Sequence, residues 1–85
     1  MEIELTEDAK QDLEFWRKSK NVKIQHRISE LMNSIRQSPF EGIGKPEPLK
    51  HNLKGRWSRR IDHEHRLVYE IANGIIYILS MKGHY

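Results

Sequence analysis

At 85 residues, 36% hydrophobic and 32% charged, the chain is expected to form one globular domain with no room for a second core. No apolar run approaches the ~20 residues of a membrane span, and Met1-Glu2-Ile3-Glu4-Leu5 lacks signal-peptide character. Cysteine is absent, which excludes disulfide staples and Cys-based zinc sites and suits an intracellular, cytoplasmic protein.

Ile3 and Leu5 alternate with Glu2 and Glu4, the period of a short half-exposed strand. Thr6 follows as an N-cap, with Glu7 and Asp8 in the first helical turn where the macrodipole favours negative charge. Ala9, Leu13 and Trp16 give this first helix one apolar face, and Lys18-Ser19-Lys20-Asn21 is the turn. Ile24, Ile28, Leu31 and Ile35, widened by Met32, mark a second helix that Ser38-Pro39 ends, because proline pushes the preceding residue out of the α region. These stripes read as core.

Gly42, Gly44, Pro46, Pro48 and Gly55 argue against regular structure from 41 to 56. From Trp57 the period becomes two: Trp57, Arg59 and Ile61 share one face, Ser58 and Arg60 the other. Asp62-His63-Glu64-His65 is a connecting turn, a second strand runs from Arg66 through Ile71, and Asn73-Gly74 predicts a type I′ hairpin. The apolar run Ile75–Leu79 predicts a strand inside the sheet. The order β-α-α-β-β-β implies an α+β domain, a small antiparallel sheet with two helices packed on one face.

Charge is unevenly spread. Residues 1–40 carry seven Lys or Arg and seven Asp or Glu, whereas residues 41–85 carry eight and five and so supply the whole net +3. From Lys45 to Arg60 six cations (Lys45, Lys50, Lys54, Arg56, Arg59 and Arg60) surround one carboxylate, Glu47, held between two prolines. A basic face on the C-terminal half fits a polyanion, nucleic acid above all, or simply a solvated surface. Glu47, kept ionised by its neighbours, is either a loop anchor paired with a lysine or a base beside a bound polyanion.

Metal-free RNA cleavage needs a base for the 2′-hydroxyl, a cation for the charge gathering on phosphorus, and an acid for the departing 5′ oxygen. Glu47, Arg66 and His84 supply those three types, and imidazole suits proton transfer near neutrality. Lys50 and Arg60 are auxiliary cations, with Arg59, Lys45 and Lys54 as further phosphate-binding candidates, and Tyr85 offers a ring for base stacking. Each has a duller alternative: Arg66 pairs with Glu64 or Glu70, and His84-Tyr85 is a frayed end. His63 and His65 lack an evident third ligand, so neither a metal site nor a cofactor is expected.

The run Pro39-Phe40-Glu41-Gly42-Ile43-Gly44-Lys45-Pro46-Glu47-Pro48-Leu49-Lys50-His51-Asn52-Leu53, then Gly55-Arg56-Trp57-Ser58-Arg59-Arg60-Ile61, Glu64-His65-Arg66-Leu67-Val68-Tyr69 and the closing His84-Tyr85 closely resembles the YoeB (Txe) toxins of the RelE-like superfamily. The resemblance covers essentially the whole of residues 1–85 as one domain. It implies a ribosome-dependent endoribonuclease that cuts mRNA in the ribosomal A site, a YefM/Phd-type antitoxin as partner, and a homodimer. It also implies Glu47 as general base, Arg66 as phosphate-stabilising arginine, His84 as general acid, Tyr85 beside it, and Lys50 and Arg60 as supporting cations. Non-catalytic relatives such as ParE-like gyrase inhibitors share the architecture and do not need this set, and a plain RNA-binding module is the third possibility. One departure stands out. Lys82-Gly83 occupies the place where members of that family often carry a bulkier Arg-Tyr pair, and glycine there is expected to loosen the tail.

Overall fold

In the computed structural model, which describes residues 1–83, the first strand, β1 (Glu2–Leu5), leads into two helices, α1 (Glu7–Ser19) and α2 (Val22–Gln37). The Thr6 hydroxyl accepts from the Ala9 N–H and caps α1, while the Thr6 N–H donates to the Ile78 carbonyl at 3.0 Å and ties the helix start to the sheet. Lys20, at φ 59°, ends α1, and Asn21 caps α2 through the Ile24 N–H. Ser38, extended before Pro39, ends α2.

Four more strands follow: β2 (Glu47–Pro48), β3 (Arg56–Arg60), β4 (Arg66–Ala72) and β5 (Ile75–Ser80), with a 3₁₀ turn at His51–Leu53. They form one sheet in the order β1-β5-β4-β3-β2. The three longer strands make the expected antiparallel meander. Asn73 and Gly74 turn its last hairpin with φ of 54° and 76°, as a type I′ turn requires.

Two features depart from the sequence reading. The sheet is mixed, because β1 returns to lie parallel against β5, pairing Glu2 with Ile75 and Leu5 with Ile78. Alternating polarity marks a strand but does not name its partner. Within the stretch read as irregular, Glu47 and Pro48 pair with Ser58 and Trp57. Two residues are too few to show a period, and a proline without an N–H suits an edge.

Ala9 and Trp16 of α1 and Ile24, Ile28, Leu31 and Ile35 of α2 pack with Leu67, Tyr69, Ile76 and Ile78 of the sheet into one core. Arg59 enters this core from β3 and is fully buried. Its Nε donates to Tyr69 Oη at 3.1 Å, Nη1 to Ser34 Oγ at 2.7 Å and the Ile43 carbonyl at 3.1 Å, and Nη2 to the Ser38 and Glu41 carbonyls at 2.6 and 3.0 Å. Five N–H donors thus meet five acceptors. Burial pushes the Tyr69 phenol up from its usual range, against the lowering influence of Arg59. The phenol therefore keeps its proton and donates it to the Pro39 carbonyl at 2.5 Å.

Two glycines of the loop after α2 let it pass close to Arg59 and its neighbours. A Cβ on Gly42 would lie 2.5 Å from Ser34 Oγ and 3.1 Å from Arg59 Nη1. One on Gly44 would lie 2.7 Å from Leu31 Cδ2 and 3.1 Å from Arg59 Cβ. The loop thus lies flat over Arg59 and delivers the chain to β2.

Replacing Arg59 by Met preserves length but leaves these buried acceptors unpaired. Arg59→Met is expected to destabilise the fold by about 3–5 kcal/mol, read from urea unfolding. A loss below about 1 kcal/mol would show that the guanidinium does not organise the loop.

Candidate active site

Register decides which side chains meet. On β3, Trp57 and Arg59 turn toward the helices, so Ser58 and Arg60 turn away. Glu47 is the cross-strand partner of Ser58, and Arg60 is that of Arg66. Glu47, Ser58, Arg60 and Arg66 therefore share the open face of the sheet, where directly opposed side chains have Cβ atoms about 4.5–5.5 Å apart. Arg66 Nη1 donates to Ser58 Oγ at 3.2 Å, which draws the guanidinium toward the strand position that faces Glu47.

Two arginines directly opposite each other repel, and among the described residues no carboxylate forms an ion pair with either. The candidate partners of Arg66 are engaged elsewhere, Glu70 with Arg56 at 3.9 Å and Glu64 with His65 at 3.1 Å. Among the described residues Glu47, Arg60 and Arg66 form no ion pair. An uncompensated guanidinium pair beside an uncompensated carboxylate is an arrangement that a phosphodiester would complete, with the carboxylate free to take a proton.

The remaining predicted residues separate into groups. Lys50 is exposed three positions beyond Glu47, where it precedes the 3₁₀ turn. Lys45 is exposed at φ 51° just before β2, and Lys54 is exposed at the end of the 3₁₀ turn. Arg59 does not belong with them. Buried, with all five donors used by protein acceptors, it cannot contact phosphate, and its role as a phosphate-binding candidate is corrected to that of a core tether. Its neighbours Trp57 and Ile61 share its face, and that pattern alone points to burial. His84 and Tyr85 lie outside the described residues. Among the described residues no group of three or more His, Asp or Glu side chains could hold a metal ion.

Sequence reading also missed Ser58. It is 1% exposed, and its hydroxyl steadies Arg66. The chain leading to His84 is fastened as far as Gly83. The Met81 N–H donates to Asp12 Oδ2 at 2.9 Å, the Met81 carbonyl accepts from Trp16 Nε1 at 2.9 Å, and the Gly83 carbonyl accepts from the Arg66 N–H at 2.8 Å. Gly83 adopts φ 85°, a conformation that other residues resist. Glycine at this place makes a bend held by hydrogen bonds, and the expected loosening concerns His84 and Tyr85, outside the described residues.

The model of the YoeB-like toxin of bacterial type II toxin-antitoxin systems matches residues 5–85. Toxin YoeB of Escherichia coli (strain K12) is 45% identical over 85 residues, covering 100% of both chains. A YoeB/ParE toxin from Agrobacterium tumefaciens superposes with a TM-score of 0.95 at 36% identity over 100% of both chains. YoeB of Staphylococcus aureus, solved as a dimer and in complex with YefM, gives TM-scores of 0.90 and 0.88 at 44% and 45% identity, over 100% of this chain and 98% of those. With a family match over nearly its whole length and a mixed sheet whose open face carries the Glu47–Arg66 grouping, the chain belongs to the YoeB-like toxins of bacterial type II toxin-antitoxin systems.

Proposed function

We propose that this toxin is a ribosome-dependent endoribonuclease that cuts mRNA in the ribosomal A site by metal-free acid–base chemistry and so arrests translation. The observation that carries the reading is the open-face grouping: Glu47 across from Ser58, Ser58 hydrogen-bonded to Arg66, and Arg60 opposite Arg66, neither arginine in an ion pair among the described residues. In this reading Glu47 takes the 2′-hydroxyl proton as that oxygen attacks phosphorus. Arg66 and Arg60 hold the charge that gathers on the non-bridging oxygens. His84 returns a proton to the 5′ oxygen as the P–O bond breaks, leaving a 2′,3′-cyclic phosphate and a 5′-hydroxyl. Lys50, Lys45 and Lys54 line the approach as exposed cations, and Tyr85 stacks on a base. A preorganised pair of guanidinium groups suits such a transition state, because the cost of bringing like charges together is met during folding.

The same reading gives the protein a YefM/Phd-type antitoxin as its partner and a homodimer as an assembly state, supported by the S. aureus relative solved in both forms. Among the described residues no helix is long and apolar enough to cross a membrane.

On ribosomes programmed with a defined message, Glu47→Gln and His84→Ala should each lower the single-turnover cleavage rate by ~10²–10⁴-fold. Arg66→Ala should lower it by ~10²–10³-fold. Cleavage at wild-type rate in all three variants removes the mechanism. Intact message accompanied by DNA damage would move the protein to the gyrase-inhibiting toxins.

Glu47 is exposed and makes no ion pair among the described residues, so Glu47→Gln should change thermal stability and YefM-type antitoxin affinity little. A folding stability within about 0.5 kcal/mol of wild type is expected for this surface change, measured by denaturant titration. A larger loss would mean that the carboxylate is a structural anchor.

A further inference from the structure

The connecting turn at Asp62–His65 is built with more care than a surface turn needs. Asp62 Oδ1 accepts from the N–H groups of Glu64 and His65 at 2.8 and 2.7 Å. The His65 carbonyl accepts from the N–H groups of Ile61 and Asp62 at 2.9 and 3.2 Å. With its backbone fixed at both ends, the His65 side chain is only 15% exposed, and its ring stands edge-on to Trp16 at 4.9 Å between centroids. These contacts settle where the imidazole lies.

Both ring nitrogens have partners. Nδ1 accepts the Gly83 N–H at 3.0 Å, so it carries no proton. On a neutral ring the hydrogen therefore sits on Nε2, which lies 3.1 Å from Glu64 Oε2. The Gly83 N–H thus selects the tautomer with Nδ1 as acceptor, and a carboxylate close to Nε2 is electrostatically compatible with a proton there. Here the acceptor is aimed at the backbone of the residue that immediately precedes His84. Arg66, the next residue after His65, holds the Gly83 carbonyl with its own N–H at 2.8 Å. One dipeptide, His65-Arg66, therefore grips both polar groups of one peptide bend.

We propose that His65 is a positioning residue for cleavage: its Nδ1 fixes the Gly83 amide and so sets the direction in which the chain presents His84 to the scissile phosphate. The proposal rests on the nuclease reading above. Its physical reason is economy of register. The Gly83 carbonyl hangs from the backbone of Arg66, whose side chain is the phosphate-stabilising cation, so acid and cation are referenced to the same strand end. Small displacements of a reacting group cost large rate factors, and Gly83 is the residue through which the chain reaches His84. Lys82, whose Nζ lies 4.4 Å from the centre of the Phe15 ring, adds a second outer contact on the same segment.

The test uses full-length, ¹⁵N-labelled protein and the variants His65→Phe and His65→Asn. Phenylalanine keeps a ring against Trp16 and removes the acceptor; asparagine sacrifices the ring and places an oxygen near the Nδ1 position. Amide exchange at Gly83 should accelerate ~10-fold in His65→Phe and return to within ~3-fold of wild type in His65→Asn. On programmed ribosomes kcat should fall ~10-fold in His65→Phe with KM within ~2-fold, and His65→Asn should recover most of that loss. Unaltered Gly83 exchange in His65→Phe overturns the clamp. Accelerated exchange with unchanged kcat overturns the positioning role, as does an equal kcat loss in both variants. A wild-type protein that cuts no message sinks the nuclease reading and the catalytic purpose of the clamp with it, while the exchange data separately decide whether the clamp exists.

Discussion

The fold turns on one buried guanidinium that has no counter-ion among the described residues. Arg59 is charged at any physiological pH, and leaving it in the core with unpaired donors would be prohibitive. The protein satisfies it with neutral oxygens, two from side chains and three from the backbone between Ser38 and Ile43. That choice makes the loop a structural element in its own right, because the carbonyls of Ser38, Glu41 and Ile43 are oriented toward one point. The loop is then fixed where it enters β2, and β2 carries Glu47. A core interaction with no chemical duty thus determines where the candidate base stands.

The sheet divides labour between its faces by parity. Trp57, Arg59, Leu67 and Tyr69 build the interior, while Ser58, Arg60, Arg66 and Glu47 face outward. Adjacent residues therefore serve opposite ends: Arg59 is consumed by packing and Arg60 is left unpaired among the described residues. A one-residue slip of β3 would exchange them, burying the free cation and exposing the tether, so the register is under both structural and functional constraint. The β3–β4 pairing is regular throughout, and the register shift at Val68 and Tyr69 falls instead between β4 and β5, close to where the chain leaves β5 for Met81 and Gly83.

Much of this was legible in the residues. Thr6, Asn73-Gly74 and Ser38-Pro39 each act through local stereochemistry, which is why helix starts, the hairpin and the end of α2 could be read directly. The cluster of Glu47, Arg60 and Arg66 could be suspected from the density of charge, but its convergence depends on β2, a strand too short to show a period. Arg59 was misjudged because a run of cations invites an electrostatic reading, although its alternation with Trp57 and Ile61 already placed it inward. His65 was read as part of a polar turn, since its partners Trp16 and Gly83 are distant in sequence. Long-range hydrogen bonds leave no mark on local pattern.

The parallel pairing of β1 with β5 carries a temporal consequence. Glu2 meets Ile75, so the first strand to leave the ribosome must wait for the last before its edge is closed. However early α1 and α2 acquire helical structure, the sheet beneath them cannot assemble until nearly the whole chain is available, and such distant pairing is slow to form. Closure of this edge therefore waits on the emergence of β5, and a growing copy of this toxin holds β1 unpaired until Ile75–Ile78 have been made.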